Sequence, residues 1–111
     1  MGPTGSTQPD ATSEFLMATS PETLDLLRAT AEEMARLCSI TLAEAVARIN
    51  YHWCGLDLSQ KDDLILHEDD YYWALSIYFR DQEIKDWSPL ADRSTWVPRP
   101  VPPTGSRYWT L

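Results

Sequence analysis

The sequence predicts a mainly α fold, a small domain of three to four helices with an extended Pro- and Trp-rich C-terminal tail packed on it. Three observations carry this expectation. Capping residues mark two helix starts, Ser20-Pro21 and Thr41 with Glu44. Apolar side chains recur at helical spacing after each start. Beyond Ser88, prolines at 89, 98, 100, 102 and 103 forbid regular helix.

Residues 1–18 are rich in Gly, Pro, Ser and Thr, show no period and are expected to be disordered. The helical domain is expected over 19–87 and the tail over 88–111. In the first helix Ser20 is the N-cap and Pro21 sits at N1, where its missing N–H costs nothing. Glu22 and Asp25 favour the positive end of the helix dipole. Leu24, Leu27, Ala31, Met34 or Ala35, and Cys38 form its apolar face, and Glu32 with Arg36 an exposed i,i+4 pair. The helix is expected over 21–38.

A short turn at Ser39-Ile40 leads to the second helix, with Thr41 and Glu44 in capping-box spacing. Leu42, Ala45, Val46, Ile49 and Trp53 share one stripe, and Gly55 is the left-handed stop. A polar connector over 56–63 follows. Leu64-Ile65-Leu66 reads as a short strand. From Glu68 a third helix is expected to about Phe79, since three consecutive acids suit a helix N-terminus; its β-rich composition keeps a strand as the alternative. Such a helix is apolar over most of its circumference, hence central. Asp81–Trp87 either ends it or forms a short fourth.

Trp87, Trp96, Tyr108 and Trp109 punctuate the following segment. Unstructured tails rarely carry so many rings, so the tail is expected to lie across the helical body. It holds Asp92 against Arg93, Arg99 and Arg107, whereas 57–70 holds six acids against Lys61. The opposite signs favour that docking.

The chain of 111 residues has a net charge of −8, from nine Lys and Arg against seventeen Asp and Glu. That sign opposes nucleic-acid binding and anionic membranes, and fits a basic protein partner. A helix-turn-helix reading of the first two helices fails because the second offers only Arg48 as a cation. No run reaches transmembrane length and no export signal is legible, so the expected location is cytoplasmic, with Cys38 and Cys54 as free, buried thiols.

Motifs for chemistry are sparse. His67-Glu68 begins like the zinc-protease pattern His-Glu-x-x-His, but position 71 is Tyr. A looser metal site would combine His52, Cys54, His67 and a carboxylate; the spacing is not diagnostic. There is no phosphate loop, nucleophile elbow or Cys-x-x-Cys. No catalytic residue, metal or cofactor is implied.

The stretch Glu68–Phe79, followed by Ala91-Asp92-Arg93-Ser94-Thr95-Trp96-Val97-Pro98-Arg99-Pro100 and a Trp near the end, resembles small, functionally uncharacterised actinobacterial proteins. The resemblance covers roughly residues 45–110 and implies no activity or site. In size and acidity the chain also resembles bacterial immunity proteins, which bind and block a toxin; that likeness is compositional and transfers no residues.

The expected function is therefore non-enzymatic protein binding, of the immunity or inhibitor kind, with a basic partner. Asp62, Asp63, Glu68, Asp69 and Asp70 form the expected charged rim, with Tyr71, Tyr72 and Trp73 as anchors. The alternatives are a small metal-dependent or carboxylate-based enzyme using His52, Cys54, His67 and the same acids, and an obligate homodimer.

Overall fold

In the computed structural model, which describes residues 13–60 and 64–111, helix α1 spans Pro21–Cys38 and α2 spans Leu42–His52. A third helix, α3, spans Asp70–Tyr78. One-turn 3-10 helices lie at Leu64–His67 and Asp81–Glu83. The fold is mainly α, as its sequence predicts. Among the described residues the only sheet is a parallel pair, β1 (Ala18–Thr19) with β2 (Asp57–Leu58).

Each helix starts where a side chain satisfies an orphan backbone donor. Ser20 Oγ accepts from Thr23 N–H while Thr23 Oγ1 accepts from Ser20 N–H, a reciprocal box. Thr41 Oγ1 accepts from Glu44 N–H, but the return bond expected from Glu44 is absent. The Glu44 carboxylate holds Arg48 instead, at 2.9 Å. Asp69 caps α3, which starts two residues later than expected, by accepting from Tyr72 N–H. α1 stops at Ser39, a non-glycine residue in the left-handed region (φ 56°). Gly55 also has positive φ, 84°, in the turn beyond α2.

Thr23, Leu27, Thr30, Ala31 and Met34 form the buried face of α1. This face packs on α3 and, less extensively, on α2. In α3 four consecutive residues, Ala74 to Ile77, are buried, the signature of a central helix. Ala45, Val46, Ile49 and Trp53 complete the core from α2, whereas Leu42, expected in the same stripe, is exposed.

Three further local expectations are overturned. Within the N-terminal 1–18, residues 13–18 are ordered into the fold: Phe15 and Met17 are buried, Leu16 between them points outward, and β1 begins at Ala18. That alternation is a strand's period of two, and the surrounding Ser and Thr obscure it. Leu64-Ile65-Leu66 is 3-10 helix rather than strand, with the Ile65 carbonyl taken by Trp73 Nε1–H at 2.8 Å. Arg36 pairs with Glu33, three residues back, and not with Glu32.

Residues 88–111 contain turns and one isolated bridge, Phe79 with Pro98. Arg99 N–H donates to Tyr78 O at 2.8 Å, and Trp96 meets Phe79 edge-on. Both chain arms converge on Asn50, which is fully buried near the end of α2. Its Nδ2 donates to Glu14 O and Tyr108 O, and its Oδ1 accepts from Leu16 N–H.

Candidate functional site

Of the residues expected to form the site, Asp62 and Asp63 lie outside the described residues. The other six cluster at the start of α3. Asp69 and Asp70 each accept a backbone N–H, from Tyr72 and Tyr71 respectively, so both carboxylates help to build the helix start. Glu68 is exposed.

The three aromatics have partners within the chain. Tyr71 Oη donates to Trp87 O at 2.9 Å. The Tyr72 ring stacks flat on Trp87, with centroids 5.0 Å apart and an interplanar angle of 9°. Trp73 packs edge-on against both Tyr72 and Trp53. Rings therefore run in contact from Trp87, 42% exposed, to Trp53, 6% exposed. Trp73 is thus a link to the core, and the ring offered to solvent is Trp87, which the sequence places in the chain after α3. The acids and the stack together make an acidic, aromatic face.

The thiols and imidazoles are dispersed. Cys38 is partly buried, and desolvation pushes its pKa up to about 11, with Arg93 and Arg48 opposing, which makes it a poor nucleophile. Cys54, expected in the core, is exposed; Arg107 Nη2 lies 2.8 Å from its Sγ. No group of three or more His, Cys, Asp or Glu side chains among the described residues is arranged to hold a metal. Likewise, no helix among them is long and apolar enough to cross a membrane.

A second site was not legible beforehand. Arg48, Tyr51 and His52 from α2, Ile77 from α3, Arg80 just beyond it and the segment 99–103 enclose a cleft of about 600 Å³. Arg48 is 7% exposed, bonded to Glu44 and to Arg99 O, with its guanidinium 4.4 Å over the Tyr78 ring. Arg99 Nε donates to Ser76 O and Phe79 O near the C-terminal end of α3, where unpaired carbonyls favour a cation. His52 keeps an exposed edge, yet the protein around it desolvates the ring enough to lower its pKa; the Arg99 charge adds to this and Asp81 opposes it. The cleft stayed hidden because its arginines come from positions 48, 80 and 99, which share no local motif.

Compared with known proteins, the chain matches no family model, no curated protein and no solved structure.

Proposed function

We propose that this chain is a non-catalytic binding protein whose acidic, aromatic face docks a basic protein partner. The observation that carries the reading is the Tyr72–Trp87 stack, which fixes a large, partly exposed ring on the turn of α3 that directly follows Glu68, Asp69 and Asp70. A ring already stacked, on a backbone held by the Tyr71 hydroxyl at Trp87 O, loses little side-chain entropy on binding. Rigid aromatic anchors bounded by charge are a common source of interface energy, and the net charge of −8 would steer a cationic partner toward the protein.

The test is photo-crosslinking of the intact chain, carrying the reactive group at position 68, in its source cells. The expected product is one basic protein whose affinity for the purified chain falls with added salt. Trp87→Ala and Glu68→Lys should each weaken that affinity by about tenfold or more, equivalent to about 1.4 kcal/mol. A partner insensitive to both substitutions, or a product consisting only of a second copy of the chain, would overturn the proposal.

A further inference from the structure

Three of the nine Lys and Arg side chains of this acidic protein line one cleft. Two of them are committed. Arg48 is neutralised by Glu44 at 2.9 Å and is nearly buried. Arg99 is held through Nε by two backbone carbonyls, while its Nη2 stands 3.9 Å from Asp81, too far for a hydrogen bond and across from a carboxylate 93% exposed to water. Arg80 is exposed, and among the described residues no hydrogen bond or ion pair engages its guanidinium. Arg80 and Arg99 line the same cleft, so the uncommitted donor fork of Arg80 and the Nη groups of Arg99 belong to one site.

Between the cations the walls are apolar. Pro100, Val101 and Pro103 line the cleft with exposed side chains over the buried Ile77 and Pro102, and the Tyr51 ring, also lining it, is fixed edge-on to Tyr108. The cleft's volume falls within the range of small-molecule sites, about 300–1,000 Å³. Two arginines on an apolar wall match a carboxylate attached to an apolar body. The planar guanidinium fork pairs with a carboxylate through two parallel hydrogen bonds, and the body covers the exposed Val101 and its flanking prolines. A polyanion such as nucleic acid would meet the repulsion of the remaining acidic surface, whereas a small monoanion would meet far less.

We infer that the cleft between α2, α3 and residues 99–103 binds a small carboxylate ligand with an apolar body, its carboxylate taken by Arg80 and Arg99. The site is separate from the acidic, aromatic face and does not depend on that face's role. Arg99 is tied into the fold, so Arg80 is the residue to vary. The free Arg80 side chain can be removed without breaking any bond described for it.

The experiment titrates the full chain with 3-phenylpropionate, its uncharged amide and inorganic phosphate, followed by amide shifts in NMR and by calorimetry. The expected result is saturable binding of 3-phenylpropionate, with the largest shifts at Ile77, Arg80 and Val101. Arg80→Ala should weaken it about tenfold, and Arg80→Lys, which keeps the charge but not the fork, should fall between. The amide and phosphate should each bind at least about tenfold more weakly than the carboxylate. Equal binding of the amide would make this a merely apolar pocket. Equal binding of phosphate would make it a bare anion site. Either result overturns the inference, as does wild-type affinity in Arg80→Ala or no saturation by 3-phenylpropionate below about 10 mM.

Discussion

Asn50→Ala should cost far more stability than a polar residue near a helix end usually does. Asn50 is fully buried and makes three hydrogen bonds at 2.9 to 3.2 Å, to Glu14, Leu16 and Tyr108. Each such bond contributes about 0.5–1.5 kcal/mol net. The Glu14 carbonyl keeps a second donor, Thr110 Oγ1 at 2.6 Å, and the exposed Leu16 lets water reach its N–H. The sum therefore falls near 2–4 kcal/mol, out of roughly 5–15 for a whole domain. For a unit of this size that lowers Tm by about 10–25 °C. Urea and thermal unfolding followed by circular dichroism and tryptophan fluorescence would measure it. Both probes should shift together, because the N-terminal arm, α2 and the tail share this one side chain. Asn50→Asp should be worse than Ala near neutral pH, since it buries a carboxylate and removes both donated bonds. A Tm within about 3 °C of wild type for the Ala variant would refute the reasoning, as that corresponds to less than about 1 kcal/mol.

Truncation after Ser88 removes Trp96 from Phe79, the Arg99–Tyr78 bond and the Tyr108 partner of Asn50, and should leave a largely unfolded chain; hydrogen exchange on the intact protein should find a slow Arg99 amide, and an unchanged Tm on truncation would show the tail contributes nothing. His52 has a lowered pKa in the folded chain, so as pH falls the unfolded chain binds the proton first; the neutral ring's contribution is complete above about pH 6.5 and is lost as pH falls toward the folded value. His52→Gln should flatten that slope in a series of urea titrations, and an identical slope would assign it elsewhere. Iodoacetamide near neutral pH should label the exposed Cys54 and spare Cys38, whose pKa is about 11; mass spectrometry showing Cys38 modified first would contradict its burial.

What the sequence made legible was local. The caps at Ser20, Thr41 and the acids before α3, together with apolar residues at helical spacing, locate all three helices to within two residues. The misses arise where the deciding partner is distant. Phe15 and Met17 read as part of an unstructured arm, because their alternation is short and the Asp57–Leu58 strand that pairs with the adjoining Ala18–Thr19 lies 39 positions on. Glu44 matched a capping box, yet a better acceptor role opposite Arg48 took its carboxylate. Trp73, an expected anchor from its place in an acidic, aromatic run, is half-buried with its indole N–H on Ile65 O, and the more exposed ring, Trp87, lies 14 positions on in the sequence. Arg80 carries no signal and Arg99 reads only as part of the tail's positive charge, since nothing in a single sequence brings positions 19 residues apart to one cleft.

The Thr110–Glu14 bond, with a sequence separation of 96, has a topological consequence. The described chain leaves and re-enters the body at one point, so its path is close to a closed ring. A short flexible linker could join residue 111 to residue 13 with little loop-closure entropy. The ring could then be cut at Leu90, 93% exposed in a turn, to give a circular permutant with every helix intact. For the same reason, the chain enters at residue 14 and leaves at residue 110 close to the Asn50 junction, on the same part of the surface.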